Sequence, residues 1–387
     1  MPRVKCPKCQ KAETILKSGF VRGKQRFFCK ECVYNFTIQH QSKKGNNKKR
    51  KHNTTIIDIA KAIGISHTTV SRALRDHPDI SADTKQTVRD VAVQMNYQPN
   101  TLAQSLANSQ SNTIGVILPN LKISFFSLML DGIQDVATEY GYKVIICSSN
   151  ERYETEVTNV QTLINNWIDG LIVCHSINTT SFDHLALNLE KGIPIFNVYR
   201  VSRDVHVTKV VAEDEKGAAE ITQHLVDQGC KRIAVIAGPK ELQLSEHRLN
   251  GYRHVLKKNK LTYAKELVAH TEFTKEEVHQ NIDRWLEAGL APDGLFCFSD
   301  NCAIQAVMYL KQKKIAVPQQ ICVAGYGNDS TGEVIEPSLT TFNANTYEIG
   351  AAIAKQFLKY IMNPDDYSPT TVVVKGNLLI RSSTLRS

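Results

Sequence analysis

Apolar residues recur along this chain in two rhythms. From Thr113 onward, short continuous runs are separated by longer stretches of helical spacing. The runs are Ile114–Leu118, Val144–Cys147, Leu171–Cys174, Ile195–Val198, Ile233–Ala237, Leu295–Phe298 and Ile321–Ala324. Runs of this length read as strands buried on both faces, and their alternation with helices predicts parallel sheets covered on both sides. Two such sheets fit the length of this part.

Upstream the period changes. Ile56-Ile57-Asp58-Ile59-Ala60-Lys61-Ala62-Ile63 carries helical spacing and stops at Gly64, a residue suited to a left-handed turn. Ser66 is placed to cap a second helix from His67 to Leu74, and Ser81 and Asp83 open a third that runs to Met95. Ala60 is small where two helices approach closely, and Ile65 and Val70 are apolar where they would pack. This is the spacing of a helix-turn-helix, whose second helix enters the major groove by its N-terminal end. His67, Thr68, Ser71 and Arg72 then lie on or near the outward face, and Arg72 has the fork that reads guanine bidentately. Further upstream, Ile15–Val21 and Lys24–Cys29 predict a small hairpin around Arg22-Gly23, while 39–53 (QHQSKKGNNKKRKHN) shows no apolar periodicity and reads as a basic linker.

Composition bounds the function. The chain has 387 residues, of which 42% are hydrophobic and 22% charged, ordinary values for a globular protein of two or three domains. No run of 18 or more apolar residues occurs, and Met1-Pro2-Arg3-Val4-Lys5-Cys6 lacks the apolar stretch of a secretory signal, so a cytoplasmic protein without membrane contact is expected. The formal charge of +9 is unevenly placed. The first 53 residues hold fifteen Lys and Arg against two Glu, a net +13, which leaves −4 for the rest. A basic head on a mildly acidic body points to a polyanion, with nucleic acid the usual one.

Ten cysteines in such a chain suggest thiols and metal rather than disulfides. Cys6-Pro7-Lys8-Cys9 and Cys29-Lys30-Glu31-Cys32 form two C-x2-C pairs whose spacing suits one tetrahedral, structural Zn2+ per chain. About forty residues cannot bury a sufficient core, so metal is expected to supply the folding free energy there. Cys147, Cys174, Cys297 and Cys322 fall in or beside the apolar runs and read as core residues.

Two resemblances follow from these residues. CPKC…KSGFVRGKQRFFCKECVYNFT resembles the zinc ribbon of insertion-element transposases and their small DNA-binding accessory proteins, over residues 1–38 or so. NTTIIDIAKAIGISHTTVSRALRDHPDISADTKQTVRDVAVQMNYQPNTLAQSLANSQSNTIGVILP resembles the start of a lactose/galactose-repressor (LacI) family regulator, and that likeness runs from Thr54 to the C-terminus. The second implies an α/β, two-lobed, periplasmic-binding-protein-like core preceded by an all-α helix-turn-helix domain. The organisation expected is a zinc ribbon at 1–40, a basic linker at 41–53, the helix-turn-helix at 54–98, a hinge helix at 99–112 and a core at 113–387. Within the core, lobe 1 is placed at about 113–210 and 325–345, and lobe 2 at about 211–324 and 346–387.

The family resemblance also implies site residues. His67, Thr68 and Arg72 match base-reading positions. Tyr97-Gln98-Pro99-Asn100 opens the family's hinge, where Asn100, Ala103 and Leu106 face DNA and Leu106 wedges a base step in the minor groove. Ala103 and Leu106 without the family are one apolar stripe of a short helix. Effector contacts are expected between the lobes, at the carboxyl ends of strands. Asn120, Phe125 and Phe126 follow the first strand, Arg248 matches the family's effector-contacting arginine, Phe273 matches a stacking aromatic, and Ser299-Asp300 follows a later strand. Two positions depart from the pattern. Tyr199 stands where sugar-binding members commonly have Asp, and Gly325-Tyr326-Gly327-Asn328-Asp329 puts Gly327 at an effector-binding Asp, with Asn328 or Asp329 as substitutes. Leu378 to Ser387 shows no leucine heptad, so no tetramerisation coil is expected.

An enzyme would need a catalytic constellation. The sequence shows no P-loop, no G-x-S-x-G elbow and no further metal-ligand cluster. The expectation is a cytoplasmic, nucleoid-associated bacterial repressor that binds a palindromic operator in double-stranded DNA as a homodimer under control of a small carbohydrate-like effector. The alternative is a mobile-element-associated DNA-binding protein in which the ribbon dominates. For the ribbon itself a second DNA contact, a protein-docking module and a redox or metal sensor all stand open, with the +13 balance favouring DNA.

Overall fold

The computed structural model describes residues 4–21, 24–37, 54–98 and 110–386. In the first of these stretches, β1 (Ile15–Val21), β2 (Lys24–Cys29) and β3 (Tyr34–Thr37) form an antiparallel sheet in that order. The hairpin expected from sequence is thus extended by a third strand. Gln10 and Val33, each directly after the second cysteine of a pair, both have positive φ (61° and 49°), so the two C-x2-C turns share one geometry.

The helix-turn-helix comprises α1 (Ile56–Ile63), α2 (His67–Leu74) and α3 (Ala82–Gln94). Thr55 and Asp58 form a reciprocal capping box, and Ser66 and Ser81 accept from the backbone N–H of Thr69 and Thr84 at 3.0 and 3.3 Å. Gly64 ends α1 at φ 71°, a left-handed conformation that an L side chain would strain. Ile59, Val70, Ala73 and Val88 are fully buried between the three helices.

The core holds two six-stranded sheets. In the first the order is β14 (Thr371–Val374), β8 (Thr208–Ala212), β7 (Ile195–Val198), β6 (Gly170–Val173), β4 (Thr113–Leu118), β5 (Lys143–Ser148), all parallel. In the second it is β10 (Val268–His270), β9 (Ile233–Ala237), β11 (Gly294–Cys297), β12 (Cys322–Tyr326), β13 (Thr340–Asn343), β15 (Asn377–Leu379), with only β15 antiparallel. β6, β7, β9, β11 and β12 are buried at every position, so both faces of each sheet are covered. Of the six cysteines outside the ribbon, five are buried and Cys147 is half-buried, and all carry free thiols.

The chain passes between the lobes at 212–214, 343–346 and 374–377. This corrects the expected division. Segment 325–345 lies in lobe 2, because β13 pairs in parallel with β12 (Ala324 opposite Thr340). Segment 346–374 lies in lobe 1, where β14 pairs with β8 and the helix Thr346–Met362 packs on the helix Ser124–Glu139. That packing depends on two glycines. A Cβ on Gly132 would stand 2.1 Å from the Tyr347 carbonyl oxygen, and one on Gly350 1.9 Å from that of Met129. At the start of lobe 1 the Asp169 carboxylate accepts from Ser111 N–H, Ser111 O–H and Asn112 N–H at 2.7–2.8 Å, which anchors the segment entering β4.

Candidate DNA-reading and effector sites

On α2, His67, Thr68 and Arg72 are exposed and Ser71 is half-buried, whereas Val70 and Ala73 point into the three-helix core. Helical spacing thus separates a polar reading face from an apolar packing face. Arg72 reaches Asp79 only at 3.9 Å with half its side chain exposed, so its guanidinium stays available. Asn100, Ala103 and Leu106 lie outside the described residues.

In the ribbon the four thiols of Cys6, Cys9, Cys29 and Cys32 lie within 4.8 Å of one another, with Cys6 and Cys29 fully buried. The Cys9 and Cys29 sulfurs are 3.6 Å apart. Four sulfurs from two knuckles form a donor set that fits tetrahedral Zn2+. The Cys32 backbone N–H pulls the Cys29 thiol down to about 6, toward the thiolate that a metal requires. Lys11 and Glu31 close the two knuckles with an exposed 2.8 Å ion pair.

Between the lobes lies a cavity of about 130 Å3 walled by aromatic rings. Phe125 packs on Tyr199 at 4.5 Å between centroids from the lobe 1 side, and Phe273 stacks on Phe298 at 4.8 Å from the lobe 2 side. Polar groups enter the same wall from Ser299, Asp300, Asp329 and Arg200. Asp300 is 2% exposed and accepts from Thr341 O–H at 2.6 Å and Asp329 N–H at 2.7 Å. Ser124 donates to Asp329 across the cleft at 2.5 Å. Arg200 donates to Glu151 at 2.7 Å and lies over the Phe126 ring, yet its buried Nε has no partner among the described residues. A flat apolar wall with a few converging donors and acceptors suits a small polyhydroxylated ligand.

Phe125, Phe126, Phe273 and Ser299 line this cavity. Arg248, Asn120 and Asn328 do not line this cavity. Arg248 is 2% exposed, and its guanidinium donates to Asp214 at 2.9 and 2.7 Å, to the Tyr199 hydroxyl at 2.9 Å and to the Phe298 carbonyl. It also stacks on Tyr326 at 3.4 Å, so its fork is spent on protein rather than turned to the cleft. Asn120 accepts from Lys122 N–H at 3.0 Å. Asn328, at φ 56°, turns its amide oxygen to Arg381 at 3.0 Å and leaves the wall to Asp329. Gly327 has φ 133° with the Phe125 ring 3.5 Å from where a Cβ would lie, so an Asp there would be strained. Tyr199, Arg200, Asp300 and Asp329 also line the wall; Asp300 and Asp329 were among the sequence candidates, whereas Tyr199 and Arg200 were noted only as a departure from the family pattern.

Burial pushes the Asp300 carboxyl up from 3.8 to about 6. Between about pH 4 and pH 6 the folded chain keeps a proton that the unfolded chain has lost, so this group's contribution to stability falls as pH rises through that window and is flat above it. Asp300→Asn is expected to remove that slope. The stability difference between wild type and variant, followed by denaturation, should change by roughly 2–3 kcal/mol from pH 4 to pH 7. Parallel profiles would assign the slope elsewhere.

The fold also gathers a cluster that sequence spacing does not show. Glu156 and His184, from two helices of lobe 1, meet His175, in the loop after β6, in a buried group. Burial pushes the Glu156 carboxyl up, but the His175 and His184 side chains against it and the Ser176 N–H outweigh it and hold the group well below the usual carboxylate range. Beside the cluster opens a second cavity of about 670 Å3, whose wall includes His175, Ser176 and Arg200.

Comparison with known proteins matches this architecture. Residues 55–100 match the profile of bacterial regulatory proteins of the lacI family, and residues 222–384 that of the periplasmic binding protein-like domain. The ribose operon repressor of Halalkalibacterium halodurans is 31% identical over 83% of this chain and 96% of its own. Catabolite control protein A of Priestia megaterium is 26% identical, covering 86% and 99%. Among solved structures, a lac repressor dimer bound to operator and the anti-inducer ONPF aligns with a TM-score of 0.76 at 24% identity, over 86% of this chain and 100% of that one. A LacI family regulator from Enterococcus faecium with bound ribose aligns at 0.62 and 25% identity, over 70% and 98%. These relatives are regulators, not enzymes, and no described helix is long and apolar enough to cross a membrane. The chain belongs to the lactose/galactose-repressor (LacI) family of DNA-binding transcription regulators.

Proposed function

We propose that this chain is a repressor that binds a palindromic operator as a homodimer and releases or grips it according to a carbohydrate held between its lobes. The observation that carries the reading is the aromatic-walled interlobe cavity with Asp300, Asp329 and an unpartnered Arg200 Nε in its wall. Phe125, Phe126 and Phe273 supply stacking faces, Ser299 and Asp329 hydroxyl partners, and Arg248 holds the floor. His67, Thr68, Ser71 and Arg72 read bases in the major groove, and Asn100, Ala103 and Leu106 act in the minor groove. A ligand that favours one lobe closure shifts the operator-binding population by its differential affinity for the two states.

Zn2+ held by Cys6, Cys9, Cys29 and Cys32 folds the ribbon, which adds phosphate contacts outside the operator. What supports this is the convergence of the four thiols and the +13 charge of the first 53 residues.

The test is selection of bound sites from a random duplex pool with full-length, zinc-loaded protein, followed by a sugar panel on the selected site. A palindrome with a flexible central step is expected, and one sugar should change affinity for it by tenfold or more. Leu106→Ala is expected to lose most specific binding while nonspecific binding is kept. Selection of a basic-head footprint without a palindrome would favour the ribbon-dominated reading instead.

A further inference from the structure

In lobe 1 the helix Tyr153–Asn165, the loop after β6 and the helix Asp183–Leu189 bring Glu156, His175 and His184 together at 0, 3 and 8% exposure. One oxygen, Glu156 Oε1, lies 2.8 Å from His175 Nδ1 and 3.1 Å from His184 Nε2. The other, Oε2, accepts from Ser176 N–H at 2.7 Å and Thr179 O–H at 2.9 Å. The protonation of His175 can be deduced from its far side. Asn197 Oδ1 accepts from the backbone N–H of Ser202 at 3.0 Å, and a backbone N–H can only donate, so this atom is the amide oxygen. His175 Nε2, 3.3 Å from that oxygen, must therefore carry its proton. In a neutral imidazole Nδ1 is then a bare lone pair, aimed at a carboxylate oxygen. Lone pair against lone pair is repulsive unless a cation sits between them.

We propose that Glu156 Oε1, His175 Nδ1 and His184 Nε2 form a binding site for a divalent transition-metal ion. Two imidazoles and one carboxylate are the donor set of Zn2+, Ni2+ or Co2+ rather than of Mg2+ or Ca2+. Donors each about 2.0–2.2 Å from one ion stand roughly 2.9–3.5 Å from one another, so the observed 2.8 and 3.1 Å need only a few tenths of an ångström of expansion. Two of the three donors carry outer partners, while His184 Nδ1 is buried without one among the described residues. Asn197 Oδ1 receives the free N–H of His175, while Ser176 and Thr179 hold the second carboxylate oxygen. A proton on His175 Nδ1, with His184 donating from a neutral Nε2–H, is the competing occupant; a metal instead engages both imidazoles through the nitrogens already turned to Glu156. The 670 Å3 cavity reaches the cluster on its His175 and Ser176 side. Tyr199 and Arg200 line both this cavity and the aromatic one, so the ion would sit one shell away from the effector.

The site is independent of the cysteine ribbon, and the experiment separates the two. Full-length protein is equilibrated with Zn2+, dialysed, and its metal content measured per chain. Two equivalents are expected in wild type, one in His184→Ala or His175→Ala, one in Cys6→Ser/Cys9→Ser, and none when the two classes of substitution are combined. Circular dichroism and melting temperature verify that each variant is folded. A Co2+ titration of Cys6→Ser/Cys9→Ser gives the second readout: a visible band without thiolate charge transfer that is lost on adding His184→Ala. A wild type holding one equivalent that the cysteine substitutions abolish overturns the proposal, and so does a second equivalent that survives both histidine substitutions. One equivalent that the histidine substitutions remove and the cysteine substitutions do not would uphold it and sink the zinc ribbon instead.

Discussion

Replacing Arg248 with Met is expected to lower the stability of the core by about 3–5 kcal/mol, the usual result of removing one partner of a buried ion pair. The arginine and Asp214 are each only 2% exposed and are joined at 2.7 Å. Without the guanidinium the Asp214 carboxylate loses its counter-charge, and the Phe298 carbonyl and Tyr199 hydroxyl lose a donor. Arg248→Lys should restore only part, since one ammonium cannot replace a fork that serves three acceptors while stacking on Tyr326 and Phe298. Tyr199→Phe is the control. It removes the hydroxyl at the lobe 1 end alone and should cost about 1 kcal/mol. Chemical denaturation of the three variants checks the order, and a Met variant as stable as wild type would remove Arg248 from its structural role and return it to effector binding.

Cys29→Ser is expected to unfold residues 4–37 and to leave the helix-turn-helix and core transitions unchanged. The ribbon has almost no apolar interior. Among its described residues the fully buried side chains are Cys6 and Cys29, while Phe20 and Val33 are 73% and 76% exposed. The prediction rests on the proposed Zn2+ in this unit, since structural zinc sites carry on the order of 10–16 kcal/mol of apparent binding free energy. Proteolysis confined to the N-terminal segment reports the unfolding. Operator binding measured against salt reports the consequence: the slope of log K against log salt should become shallower by about 0.9 for each phosphate that the ribbon no longer neutralises. An unchanged slope would mean that the ribbon touches no DNA, and docking to protein would become the better reading.

How far the sequence reached depended on how local each signal was. The helix-turn-helix was legible almost to the residue, because Ser66, Ser81 and Gly64 are caps and stops whose partners lie within five residues, although the Thr55 cap of the first helix was not picked out. The cysteine pairs were legible for the same reason. Lobe membership was not. β13 reads Thr-Thr-Phe-Asn and β14 Thr-Val-Val-Val, short strands with nothing in either to say which sheet accepts it, and parallel pairing across 16 residues (Ala324 to Thr340) or 162 (Lys209 to Thr371) has no local trace. The third ribbon strand escaped because Tyr34–Thr37 (Tyr-Asn-Phe-Thr) carries no apolar run and is exposed at three of its four positions. In the cleft, family pattern located Arg248 but could not show that Asp214, Tyr199 and the Phe298 carbonyl, 34 to 50 residues away, take up its donors. The choice between Asn328 and Asp329 was decided by a single left-handed backbone angle. Glu156, His175 and His184 were invisible because their spacings of 19 and 9 match no metal motif, and only the turn of β6 over two helices brings them together.

The three passages of the chain between the lobes have a mechanical consequence. Two bodies joined by one covalent strand can twist and swing about it in any direction. Joined by three strands side by side, at 212–214, 343–346 and 374–377, they resist torsion and sideways shear and retain bending about one axis as the soft degree of freedom. Any ligand that alters closure, whatever its size or its place in the cleft, is thereby converted into the same stroke. Cleft chemistry can then diverge widely without any redesign of the output, since what is transmitted is an angle and not a shape.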